Sequence, residues 1–423
     1  MDRSVSAVGV PSSLWHNRGF LRLWIAQMIS NAGTQITNVA LPLTAILVLG
    51  ATPAQIGLLG IASYLPNLLF GLLAGVWVDR ARRRPILVGA DIGRALLLGS
   101  IPVAALFGHL TFLHLYIVAF TAGILTLFFT IASLAILPSL VARHRLVEAN
   151  SKLAISDSVL MIAGPGAAGG LIQLTSAPKA IIADAVSYLL SALSLGSIGA
   201  SEPAPRTIHE RPSIWREIGE GVRMLLGTPL LRALATSSCV GFFALAMQNT
   251  VLLLFLVRQL GLTPTVIGFV LACNGIGSLL GAGSAGWTAR RIGTGPAVVL
   301  GTLLWAIGSG VVPLAGLAHI ILPLICIGQV LAGIGATLYS VNQISLRQIL
   351  TPVGLLGRVT AARRFVLFST APMGAAIGGF LGSAIGLRPT LFVGAVGFGA
   401  ASLLAFFSPV RRVRDLSALA IAS

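Results

Sequence analysis

Twelve stretches of about 20 or more mostly apolar residues recur along this 423-residue chain. They fall at 20–47, 54–78, 86–107, 112–137, 151–174, 179–199, 230–257, 264–288, 296–316, 319–343, 362–385 and 388–408. Each is long enough to cross the ~30 Å hydrocarbon layer of a membrane as a helix. No water reaches the backbone inside lipid, so each N–H and C=O must pair within the chain, and long apolar runs read as helices. A transmembrane β-barrel would show ~10-residue segments of alternating polarity, and none is visible. Only 9% of residues are charged and the mean hydropathy is +0.95, against roughly 25% charged in a soluble domain. The expectation is an all-α membrane protein.

The formal charge of +17 would suggest nucleic acid as a partner if the charges formed one exposed patch. They do not. When the loops alternate across the membrane, one side receives all of the 28 Lys and Arg residues except Lys179, Arg258, Arg388 and the intramembrane Arg94. This asymmetry follows the positive-inside rule. It predicts a multi-pass protein of the bacterial cytoplasmic membrane, with both termini in the cytoplasm and no nucleic-acid partner. Cys239, Cys273 and Cys326 all fall inside apolar spans, so no disulfide framework is expected. The first apolar run is too long for the h-region of a cleavable signal peptide.

The chain repeats itself. Arg22, Gly71, Trp77 and Arg80 recur 210 positions later as Arg232, Gly281, Trp287 and Arg290. Thr52-Pro53 recurs as Thr263-Pro264, and Gly169-Gly170 as Gly378-Gly379, at nearly the same offset. The organisation is therefore a short N-terminal segment (1–19), a first six-helix half (20–199), a polar linker (200–229), a second six-helix half (230–408) and a tail (409–423). Parallel repeats of this kind are a transporter architecture, with the substrate site at the repeat interface near mid-membrane. Within the linker, Ser213 can cap a short helix whose apolar stripe is Ile214, Ile218, Val222 and Leu225 and whose polar face is Arg216, Glu217, Glu220 and Arg223.

Several stretches resemble a known family. "NRGFLRLWIAQMISNAGTQITN" (17–38), "GVWVDRARRRP" (75–85), "ADIGRAL" (90–96), "RLVEANSKL" (145–153), "GPGAAGG" (164–170), "DAVSYLLSAL" (184–193) and "VNQISLRQ" (341–348) resemble the major facilitator superfamily. The branch they fit contains enterobactin exporters and macrolide efflux proteins. The resemblance implies twelve transmembrane helices in two pseudo-symmetric six-helix halves, the major facilitator fold. It also implies a conformational latch made of Asp79, Arg80, Arg84, Asp91 and Arg94, in which Asp79 accepts hydrogen bonds at the start of span 11. The second copy of the latch has Ala289 where the first has Asp79, and Arg82 stands where the family usually has Gly.

Polar groups within spans are costly and face the protein interior or a water-filled path. Gln27, Asn31, Gln35 and Asn38 recur on one face of span 1. Tyr64, Asn67, Gln248, Asn249, Asn274, Asn342 and Gln343 complete the candidate substrate cavity. The same amides could instead join helices by hydrogen bonds. Of the carboxylates in or near spans, Asp91 can pair with Arg94 three residues on, and Asp184 is expected at the start of span 6. That leaves Asp157 for coupling. Alignment of Pro165 with Pro372 puts Arg364 opposite it, so the two could form a gate, hold a charged substrate, carry a proton or make a static ion pair.

No phosphate-cradling loop, HExxH, GxSxG or Cys/His cluster is present, so no enzyme, cofactor or metal is expected. The sequence points to a monomeric secondary transporter. Its expected partners are a small-molecule substrate, protons and the lipid bilayer. The expected activity is proton-coupled export of small amphipathic organic compounds (drug, siderophore or secondary metabolite) by alternating access. An importer with the same fold, or a membrane scaffold that does not transport, is the alternative.

Overall fold

A computed structural model describes residues 14–198, 214–317, 320–352 and 355–414. Twelve long helices and one short amphipathic helix dominate them, with no strand among the described residues. The first half contains α1 (Arg18–Leu47), α2 (Pro53–Arg80), α3 (Arg83–Leu106), α4 (Phe112–Leu140), α5 (Leu146–Leu174) and α6 (Ala177–Gly196). The short α7 (Ile214–Gly227) follows. The second half contains α8 (Pro229–Leu254), α9 (Pro264–Ile292), α10 (Thr294–Val311), α11 (Ile321–Leu350), α12 (Leu356–Ala384) and α13 (Leu387–Phe406). Eleven of these are long and apolar enough to cross a membrane. α1 falls short of that apolarity because Gln27, Asn31, Gln35 and Asn38 interrupt it, yet it packs against α5 and α6 as deeply as its neighbours do.

The helices outrun the apolar windows at one end. α5 begins at Leu146, α11 continues to Leu350 and α12 begins at Leu356, each beyond the span read from hydropathy. The added turns contain Arg, Glu and Gln, which are good helix formers but do not register as membrane-like. The connections at the other face are short and sharply turned. Gly50 and Gly261 take positive φ there, a conformation without steric cost only for glycine. Immediately after Gly50, Thr52 caps α2 in a capping box with Gln55. Thr263 and Pro264 start α9 at the equivalent place.

Twelve crossings put the start of α1, the end of α13 and α7 on one face, called here the terminus face. α7 is docked there, not free. Gly221 lies against the Arg358 carbonyl, Leu225 is buried with Leu231 and Val359, and Glu220 pairs with Arg358 at 2.6 Å. The side chains of Ile214, Arg216, Glu217 and Ile218, and all of Ser213, lie outside the described residues.

Each half is a bundle with matching contacts. α1 packs on α6 and α3 on α6 in the first half; α8 packs on α13 and α10 on α13 in the second. The halves meet chiefly through α2 against α12 and α5 against α9. These two contacts are equivalent under the internal repeat.

Glycine makes the close approaches possible. A Cβ at Gly169 would lie 2.9 Å from the Cα of Gly268, and one at Gly57 would lie 3.0 Å from the Cα of Gly379. Within the second half, Gly281 abuts Ile334 and Gly378 abuts Met247, the small-residue packing typical of membrane helices. Gly71, Gly75, Gly166 and Gly170 behave differently, because a Cβ at any of them would meet nothing within 4 Å. Their spacing matches that of the packed pairs but their surroundings are open.

Candidate substrate cavity between the halves

The polar face of α1, the first half of α2 and the facing stretches of α8, α9 and α11 enclose a cavity of about 630 Å3. It sits about two to three helical turns from the opposite-face ends of α2, α9 and α11. Its polar groups are Gln35, Thr37, Asn38, Ser63, Tyr64, Gln248, Asn249, Thr250, Asn274, Ser309 and Gln329; the rest of the wall is apolar, with Met161, Leu253, Leu271 and Trp305 among the large side chains. None of the lining residues carries a charge. A mostly apolar wall with a few fixed polar groups is the usual make-up of a small-molecule site.

Six residues singled out in the sequence lie together on this wall: Gln35, Asn38, Tyr64, Gln248, Asn249 and Asn274. Asn38 and Asn249 are exposed although both lie deep in their helices. Gln248 is half of a structural contact, since its Nε2 donates to the Leu391 carbonyl at 2.9 Å. Asn274 donates to the Gln329 carbonyl at 3.2 Å.

The other five lie elsewhere. Gln27 is on the α1 face nearer the terminus side and does not line the cavity. Asn31 donates to Asp157 Oδ1 at 2.8 Å. Asn67 lines a second cavity of about 230 Å3 between α2, α4 and the first turns of α12. Asn342 is buried and donates back to the Leu338 carbonyl of its own helix at 2.9 Å. Gln343 is 1% exposed, packed inside the second half. Gln329, Ser309 and Trp305 went unnoticed in the sequence. They are isolated in apolar runs, and nothing in their spacing marks one face.

Asp157 and Arg364 are not among the described ion pairs. Asp157 is exposed and bonded to Asn31 across α1 and α5. Arg364 lines the second cavity, with its guanidinium 5.8 Å from the Phe368 ring.

The latch residues separate likewise. The side chain of Asp79 lies outside the described residues, and Arg80 is exposed at the last turn of α2. Arg84 bonds the Gly196 carbonyl and Arg22 the Ser197 carbonyl. Both therefore cap the C-terminal carbonyls of α6, where free acceptors and the helix dipole favour a cation. Arg84 thus reaches α6 within the first half. Asp91 and Arg94 form the expected local pair, fully buried, and Ser191 donates to the second Asp91 oxygen at 2.6 Å. Asp184 does not begin its helix. α6 starts at Ala177, so Asp184 lies well beyond the first turn and is completely buried against α1.

A two-half helical fold around a central cavity defines a membrane transporter. The sequence model of the Major Facilitator Superfamily matches residues 23–253 and 234–420, and the chain belongs to that family. It is 27% identical over 408 residues to the multidrug efflux pump Tap of Mycolicibacterium fortuitum, covering 94% of this chain and 97% of that one. It is 25% identical over 377 residues to macrolide efflux protein A of Streptococcus pyogenes, covering 87% and 90%. In fold it is similar to a bacterial homologue of the iron transporter ferroportin solved in an inward-facing state, with a TM-score of 0.74, 18% identity and 92% and 98% coverage. The protein is a multi-pass membrane transporter of this superfamily.

Proposed function

We propose that the protein exports small amphipathic organic compounds across the bacterial cytoplasmic membrane, driven by protons, with both termini in the cytoplasm. The observation that carries this reading is the uncharged cavity of about 630 Å3 between the halves. Its apolar wall suits an aromatic or aliphatic body, and its amides suit a few ether, carbonyl or hydroxyl groups. The aromatic rings of Tyr64 and Trp305 on the wall suit a substrate that carries a cationic centre. The relatives named for multidrug and macrolide efflux support export.

The cavity is sealed at the opposite face by the Gly57–Gly379 and Gly169–Gly268 contacts. Among the described glycines, none makes such a contact between the halves at the terminus face, where the second cavity parts α2 and α4 from α12. With the basic terminus face inside, this is the cytoplasm-open, substrate-loading state. Closure would bring α12 toward α2 and α5, with Arg364 approaching the Asn31–Asp157 pair as a gate. Asp79, in the last turn of α2, would hold that closed face against the start of α12. The test is accumulation of a compound panel in efflux-deficient cells, with and without an uncoupler. Expression should lower accumulation of amphipathic compounds, and the uncoupler should abolish the difference.

A further inference from the structure

A second polar centre lies inside the first half, beside the cavity and not part of its wall. Asp91 and Arg94 on α3 and Asp184 on α6 are all buried, with Asp91 and Asp184 at 0% exposure. Arg94 pairs with Asp91 and its guanidinium stacks on Phe129 and Tyr188, 4.4 and 4.1 Å from the ring centroids. Asp91 is thus paired by Arg94 and by the Ser191 hydroxyl. Asp184 has no such partner. Ser187 donates to its Oδ1 at 3.1 Å, and its Oδ2 has no hydrogen bond of normal geometry.

The charge count does not close. Two carboxylates and one guanidinium leave one negative charge among apolar helices. An uncompensated buried ion of that kind is far more expensive than the hydrogen bonds around it can offset. One positive charge is needed, and the packing selects its size. A Cβ added at Gly33 of α1 would overlap both the Ser187 hydroxyl and Asp184 Oδ1. There is no room for a metal cation with its oxygen shell, whereas a proton needs only one oxygen. The charged and titratable groups facing Asp184 are Asp91 and Arg94 from α3 and Tyr188 from α6 itself. α1 presents Gly33 and Thr37, neither of which titrates, and no group of α5 is among those acting on Asp184.

Thr37 connects this centre to the cavity. It lines the cavity wall and is placed to donate to Asp184, although its Oγ1 lacks a bond of normal geometry. A small rotation of α1 would make or break that bond, and α1 touches both α5 and α8 at the boundary between the halves.

We propose that Asp184 holds an exchangeable proton, loaded and released through Thr37 from the central cavity. On release, the O–H bond of the Asp184 carboxylic acid breaks and the proton passes to water in the cavity. The carboxylate left behind accepts from Ser187 and, once α1 has rotated, from Thr37, and it persists only while water from the cavity reaches it. This inference rests on the proton-coupled reading above and identifies Asp184, rather than Asp157, as the carboxylate that couples.

The test is a pH-jump infrared difference spectrum of the purified protein, read at the carbonyl stretch of protonated carboxylic acids. The wild type should show a buried carboxylic-acid band that titrates. Asp184→Asn should remove it and Asp157→Asn should leave it. A band unchanged in Asp184→Asn overturns the proposal. Should that variant fail to fold, Thr37→Val serves. Loss of one hydrogen-bond donor should move the midpoint of the band by about half a pH unit or more, and an unmoved midpoint overturns the proposal. Membrane vesicles with ethidium as the probe separate the two readings. Asp184→Asn should lose accumulation driven by a pH gradient but retain ethidium exchange. Wild-type transport indifferent to the gradient would sink the proton-coupled reading, while the band still reports on the proton site.

Discussion

Gly169 of α5 and Gly268 of α9 face each other across the boundary of the halves so closely that a Cβ on either would lie 2.9 Å from the other's Cα. The pair Gly57 and Gly379 repeats the contact between α2 and α12. In each pair the neighbouring atoms are backbone, which cannot rotate aside. Gly268→Ala should therefore strain the sealed opposite face by about 1–3 kcal/mol. The strain is relieved when that face opens, so the population should move toward the outward-open state by about 5- to 150-fold. Spin labels at Val48 and Thr265, in a background lacking Cys239, Cys273 and Cys326, should report a longer distance. An unchanged distance distribution would mean that the glycine contact does not set the conformational balance.

The buried pair in α3 gives a stability prediction. Arg94→Met removes the cation paired with Asp91 and leaves a buried carboxylate uncompensated. Breaking a buried pair by deleting one partner costs about 3–5 kcal/mol. Thermal unfolding in detergent should show a large drop in Tm. Arg94→Lys should fall between, because it keeps the charge and loses the stacking on Phe129 and Tyr188. A wild-type Tm in Arg94→Met would show that the pair contributes nothing to the fold.

Much of the architecture was legible in the sequence because membrane burial imposes one strong rule, a long apolar run for each crossing. The repeat was legible through Thr52-Pro53 and Thr263-Pro264, which start equivalent helices. The α1 stripe was legible in part. Gln35 and Asn38 reach the cavity, but Asn31, on the same face, is engaged with Asp157. Periodicity gives a face, not what stands opposite it. Asp184 was misplaced for a related reason. Hydropathy set the start of its helix too late, because Ala177 and Pro178 are weakly apolar, and a carboxylate close to an assumed helix start suited the N-terminal dipole. The bond of Arg84 to a backbone carbonyl at the end of α6 was not legible, because no side-chain pattern reveals a backbone acceptor.

Accessibility separates the cavity wall from packed amides. Cysteine at Asn38, exposed on the wall, should react with a small polar thiol reagent, in the same background lacking native cysteines. Ethidium should slow that reaction. Cysteine at Asn342, which is 4% exposed and bonded within α11, should be inert. Equal reactivity at the two positions would contradict the placement of the site.

The gate predicts a separable defect. Asp157→Asn keeps the shape of the Asn31 contact but removes the charge that Arg364 would approach on closure. Ethidium binding should persist, while turnover falls and spin labels across the terminus face show less of the closed state. Normal turnover would remove Asp157 and Arg364 from the gate.

Transport in inside-out membrane vesicles tests the central claim most directly. Ethidium uptake into the lumen is followed after an acid-lumen pH gradient is imposed, for the wild type and for the cavity variant Asn38→Leu/Asn249→Leu. The account predicts wild-type uptake that collapses with an uncoupler, and much weaker uptake by the variant at equal expression. Wild-type vesicles that take up nothing above empty vesicles, or that move ethidium only in the opposite direction, would contradict it.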